Sequence, residues 1–98
     1  MQRVCLTFRL VSGREDEYRR RHVEVWPELE EAIRAEGIVG SVVYVAGDTV
    51  VVLVEHPSDI EGALERLGAT DVNARWSEYF SDVMATQPEQ ADEVWSLS

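Results

Sequence analysis

Tyr18 and His22 are the residues in this chain whose types and spacing suggest chemistry. They stand four apart in a charged segment, 14–36, yet both fall on its apolar side. At helical pitch Tyr18, His22, Val25, Trp26, Leu29, Ala32 and Ile33 share an arc of roughly 120°. Side chains four apart are neighbours on a helix, so phenol and imidazole address one point. An imidazole titrates near neutrality and can give or take a proton there. A histidine satisfied within a core beside a tyrosine is the plainer alternative for an isolated pair of this kind.

Other residues are weighed against the same two readings. Trp26-Pro27 interrupts the segment: proline offers no N–H and its ring clashes with the Val23 carbonyl, so the helix kinks or restarts near Trp26. Trp76, Tyr79, Phe80, Val83 and Met84 recur at steps of three and four, the spacing of a core stripe. Within it Trp76 could also form an aromatic wall for a small ligand such as a sugar, whose C–H faces are apolar. Asp82 follows closely and could accept a hydroxyl's hydrogen bond; a solvated acid is the alternative. His56, before Pro57, reads as an exposed loop histidine, and Cys5 as a small buried hydrophobe with no basic partner to activate it. Arg19-Arg20-Arg21 alternates with Glu15, Asp16, Glu17 and Glu24 as a paired, solvated face, with Arg21 singled out for adjoining His22. No Cys or His cluster has metal spacing, and no glycine-rich loop follows a strand to hold phosphate.

The elements that must position these residues can be read in order. Residues 4–11 form a strand with Val4, Leu6, Phe8 and Leu10 on one face and Cys5, Thr7, Arg9 and Val11 on the other. Ser12-Gly13 makes a turn, with Ser12 a candidate cap for the long helix, and Gly37 ends that helix. Strands 41–46 and 49–55 are joined by Gly47-Asp48, a strong hairpin signal. Pro57-Ser58-Asp59 opens a helix over 60–67 that Gly68 ends, Thr70-Asp71 caps another, and 93–97 makes a short last strand. Without the extra C-terminal helix the order is β-α-β-β-α-β, the split arrangement of ferredoxin-like α+β domains. The third strand is apolar on both faces, with Val50, Val52 and Val54 on one and Val51 and Leu53 on the other. Each face needs a cover. Helices supply one, and the sheet of a second subunit is the economical candidate for the other, giving a homodimer; the chain's own tail is the rival cover.

Composition bounds the partners. The 98 residues suit one domain spanning 1–98, and 45% apolar with 29% charged residues is a globular balance. With 19 acids, 9 arginines, no lysine and a formal charge of −10, the surface repels phosphate backbones, which argues against nucleic acid. No stretch approaches the roughly 20 apolar residues of a membrane span. A single cysteine and no signal-peptide pattern point to the cytoplasm.

Two longer motifs join these residues. The segment Tyr18-Arg19-Arg20-Arg21-His22-Val23-Glu24-Val25-Trp26-Pro27-Glu28-Leu29 resembles the Y-x-R-R-H-x-x-x-W-P-E-L signature of the L-rhamnose mutarotases. Thr70-Asp71-Val72-Asn73-Ala74-Arg75-Trp76, followed by Asp82-Val83-Met84, is similar to that family's T-D-V-C-Q-R-W-W and D-V-M runs. The resemblance implies a dimeric α+β barrel that interconverts the α and β anomers of a 6-deoxy sugar, L-rhamnose or a relative such as L-fucose. It also implies a small neutral monosaccharide as partner and no metal or organic cofactor. By the same resemblance His22 is the proton donor, Tyr18 contacts the sugar and Trp76 lines the site. Ser41 and Ser77 stand where the family has an aromatic residue and a second tryptophan, both at ligand-contacting positions. In the chemistry expected, His22 acts as general acid while Tyr18 positions a hydroxyl or relays the second proton. Two other readings remain at this stage. One is a cofactor-independent monooxygenase using Trp26, His22 and Trp76; the other is a non-catalytic sugar-binding or dimerisation module.

Overall fold

The computed structural model describes residues 1–97. Its elements run β1 (Gln2–Arg9), α1 (Glu15–Arg21), α2 (Pro27–Ala35), β2 (Gly40–Ala46), β3 (Thr49–His56), α3 (Ile60–Gly68), α4 (Asp71–Phe80) and β4 (Glu89–Ala91). The four strands make one antiparallel sheet in the order β2-β3-β1-β4, as the split βαβ arrangement requires.

Of the two outcomes expected at Trp26-Pro27, a kink or a restart, the segment takes the restart and forms two helices. Trp26, before a proline, is driven to extended backbone (φ −61°, ψ 130°), and Pro27 then starts α2 at a position where no N–H is needed. Ser12 does not cap α1. Its N-cap is Arg14, without a side-chain hydrogen bond, and Gly13 turns the chain at φ 83° just before it. Elsewhere the caps follow the sequence: Asp59 accepts from the Gly62 N–H at 3.1 Å and Thr70 from the Asn73 N–H at 3.3 Å. Gly47 takes φ 60° in the two-residue turn that joins β2 to β3.

The last strand lies at Glu89–Ala91, not at 93–97, and register explains why. Cys5 pairs with Ala91 and Thr7 with Glu89. The same register brings Glu93 level with Arg3, to which it is ion-paired at 2.6 Å. Beyond that point β1 has almost run out, so residues 94–97 find nothing to pair with in their own chain. Val94, Trp95 and Leu97 are exposed.

All helices lie over one face of the sheet, where two buried clusters form. One joins Val4 and Val54 to Ile38, Ile60, Ala63 and Leu67. The other joins Phe8, Leu10 and Val50 to Tyr18, Phe80 and Val83. Each of the larger apolar side chains contributes about 1.5–3 kcal/mol on burial. The opposite face carries Cys5, Thr7, Val42, Tyr44, Val51 and Leu53 with no helix over it. Val42 and Tyr44 are exposed there, and Cys5 is half-buried, not enclosed as expected.

Candidate active site

Between the two clusters the helices stand off the sheet and leave an open-sided cavity of about 760 Å³. Leu6 and Val52 from the sheet line it, together with Tyr18, His22, Trp76 and Phe80 from the helices. Ser41 and Ser77, both exposed, lie at its rim, as do Glu30 and Arg34. A smaller hollow of about 280 Å³ is lined by Tyr18, His22 and Val43 as well, so the pair stands between two openings.

The local sequence accounts for the placement of His22. It is the C-cap of α1, and its Nδ1 lies 3.2 Å from the Tyr18 carbonyl oxygen. A carbonyl only accepts, so Nδ1 carries the hydrogen and Nε2 holds the free lone pair. The imidazole thereby satisfies one of the orphan carbonyls of its own helix end. Burial lowers its pKa from 6.5, opposed by the bond to Tyr18, so the ring is neutral at neutral pH. Its ring centre is 4.5 Å from that of Tyr18, 4.8 Å from Phe80 and 5.5 Å from Trp76.

Tyr18 belongs to the core and also lines the cavity. Its ring meets Phe8 edge-on at 6.0 Å and Phe80 at 5.1 Å. Burial pushes its phenol up to about 12, which keeps it a protonated hydrogen-bond donor. Trp76 packs edge-to-face on Trp26 at 5.0 Å, so the residue set by the helix break buttresses the aromatic wall. The arrangement offers one neutral base, one phenol donor and an aromatic surface: acid–base chemistry on a small polar ring.

Asp82 is placed differently from the sequence expectation. It does not line the cavity; its carboxylate takes two hydrogen bonds from Arg21, at 2.8 and 3.1 Å, and one from Arg14 at 3.4 Å. Those bonds, Arg21 foremost, hold its pKa down to about 2. Arg21 correspondingly leaves the solvated face expected of it, its side chain only 11% exposed. His56 is likewise buried. Its Nε2 donates to the Glu36 carbonyl at 2.9 Å, and its Nδ1 accepts from the Ser58 and Asp59 N–H groups. Sequence reasoning did not name Phe80 or Asn73 as cavity-lining residues; their only sequence signal was the α4 stripe and its cap. Among the described residues no group of three or more His, Cys, Asp or Glu side chains is placed to hold a metal ion, and no helix is long and apolar enough to cross a membrane.

Comparison with known proteins meets this geometry. A family model described as L-rhamnose mutarotase matches residues 3–97. An L-rhamnose mutarotase of Burkholderia orbicola (strain MC0-3) is 40% identical over 91 residues, covering 91% of this chain and 86% of the relative. One from Bacteroides thetaiotaomicron is 29% identical, covering 93% and 88%. The crystal structure of an L-rhamnose mutarotase from Formosa agariphila superposes over all of both chains with a TM-score of 0.81 at 19% identity. A dimeric ferredoxin-like protein from an uncultured marine organism shares the fold with a TM-score of 0.66 at 16% identity, covering 98% of this chain and 97% of its own. Matched over nearly its whole length, the chain belongs to the L-rhamnose mutarotase family.

Proposed function

We propose that the protein is a sugar isomerase that interconverts the α and β anomers of L-rhamnose, with His22 and Tyr18 handling the protons. The observation that carries the assignment of residues is the neutral imidazole whose Nδ1–H is committed to the Tyr18 carbonyl, beside a buried phenol, in one cavity. In this tautomer His22 starts as the base, not as the acid that the sequence reading expects. Nε2 takes the proton of the C1 hydroxyl, the C1 oxygen closes to a carbonyl, and the C1–ring-oxygen bond breaks. The ring oxygen takes a proton from the Tyr18 phenol. After rotation about C1–C2 the hydroxyl adds to the other face of the carbonyl: the phenolate recovers its proton from that hydroxyl and the imidazolium returns its own to the C1 oxygen. Atoms and charges balance, and both residues end as they began.

Trp76 supplies an apolar face for the sugar's C–H surface, and the exposed rim residues Ser41 and Ser77 supply hydroxyls for its edge. The bare sheet face, half of it apolar, and the exposed apolar tail support a homodimer built on that face. The single cysteine supports a reducing, cytoplasmic setting.

Saturation-transfer NMR on a panel of 6-deoxy and pentose sugars, L-rhamnose and L-fucose among them, tests the assignment. Native protein should accelerate anomer exchange of L-rhamnose. His22→Ala should fold and bind sugar yet lose about 10²–10⁴-fold of the acceleration. Undiminished exchange in that variant would overturn the role of His22, and binding without exchange in the native protein would overturn the reaction.

A further inference from the structure

We infer that Arg21 is a positioning residue for the acid–base pair: its guanidinium locks the short helix that carries Tyr18 and His22 onto the turn after α4. The inference rests on the mutarotase reading above and adds a residue to it. Helix α1 has seven residues and an N-cap without a side-chain bond. A helix so short is not stable by itself, so tertiary contacts must hold it. Reaction geometry needs that hold to be tight, because a displacement of an ångström can cost roughly 100-fold in rate.

Arg21 supplies it from the position directly before His22. Nη1 donates to the Tyr79 carbonyl and, at 2.8 Å, to one Asp82 oxygen; Nη2 donates to the other at 3.1 Å. Nε reaches back to Glu17 at 3.2 Å, a carboxylate that Arg20 also engages. The guanidinium carbon lies 5.0 Å from the centre of the Tyr79 ring and 5.9 Å from that of Phe80. Phe80 in turn touches both Tyr18 and His22. One planar fork therefore joins α1 to the end of α4 and backs the ring against which the imidazole packs. Lysine, a point charge without a fork, cannot serve Asp82, Glu17 and the carbonyl together.

The test compares native protein with Arg21→Lys and Asp82→Asn by exchange NMR and by the pH titration of the His22 imidazole signals. Arg21→Lys should fold, keep KM for L-rhamnose within about twofold and lose roughly 10- to 100-fold in kcat. Its imidazole should titrate nearer the ordinary range, because a loosened helix lets water reach the ring. Asp82→Asn alters an exposed carboxylate, so it serves if Arg21→Lys does not fold; it should move kcat and the titration the same way. The losses in the double variant should fall short of their product, since both residues act through one contact. Native kcat with an unchanged titration in either folded variant overturns the inference. So does a rise in KM that matches the loss in kcat/KM. Should native protein fail to accelerate exchange, the mutarotase reading falls, and the His22 titration still decides the role of Arg21.

Discussion

His22 ends the helix it belongs to, and its one hydrogen bond there distinguishes the two ring nitrogens in the proposed chemistry. With Nδ1 committed to the Tyr18 carbonyl, only Nε2 is free to exchange a proton with a substrate. Burial lowers the imidazole pKa below 6.5, so the folded protein binds a proton less readily than the unfolded chain. Two consequences follow with their signs. The group's contribution to stability is complete above 6.5, declines as the pH falls from there towards the lowered folded value, and then levels off. Catalysis by a neutral base is lost on the acid side too, with its midpoint below 6.5. The phenol of Tyr18, at about 12, stays protonated throughout this range and adds no second limb. The pH profile of kcat/KM for anomer exchange checks this; an acid midpoint above 6.5 would contradict it.

At the scale of elements, the connection from α2 to α3 depends on a side chain that sequence reading leaves on the surface. His56 closes β3, donates to the last turn region of α2 at Glu36, and accepts the first free N–H groups ahead of α3. Gly37, at φ 79°, passes so close that a Cβ there would stand 2.9 Å from Nε2. Both helices wall the cavity, through Leu29 and Ile33 on α2 and Leu64 and Leu67 on α3. His56→Ala leaves a carbonyl and two N–H groups without their partner. It should cost about 2–4 kcal/mol, read as a lower midpoint in urea unfolding. A loss under about 0.5 kcal/mol would show that water replaces the ring freely. The misreading has a physical source: a residue before proline at a strand end announces a turn, while the segment that covers it is 20 residues distant in the chain.

The whole molecule is one sheet with helices on one side and, on the other, a bare surface that is apolar at its centre. Val51 and Leu53 sit at its centre, flanked by exposed Val42 and Tyr44. Residues 94–97, once β1 has run out, do not cover it, since Val94, Trp95 and Leu97 remain exposed. The proposed homodimer sets a second copy of the sheet against this surface; stable pairs bury about 800 Å² per partner. Leu53→Arg puts a charge at the centre of that contact. Sedimentation equilibrium should show dimer for the native chain and monomer for the variant, with the sheet still folded by circular dichroism. An unchanged dimer in this variant would place the interface elsewhere. The −10 charge does not prevent such pairing, because the centre of this face is apolar while Arg3 and Arg9 lie along its margin beside Glu93 and Asp48.

The amino-acid sequence alone determined the order of elements, the hairpin, the two side-chain caps and the coincidence of Tyr18, His22 and Trp76. These features rest on local rules: alternation along a strand, helical pitch, the φ demanded at Gly47 and the break demanded by Pro27. Two signatures, one on the α1–α2 segment and one on α4, were enough to carry the family resemblance. Contacts between distant segments decided the rest. Pairing against β1 moved the last strand to Glu89–Ala91, and a chain passing overhead buried His56. Asp82 left the expected sugar contact for Arg21, because the turn after α4 brings its carboxylate onto the end of α1. Even the starting protonation of His22 is a matter of folding. Spacing placed the imidazole near the phenol, but only a carbonyl fixed in space told its two nitrogens apart.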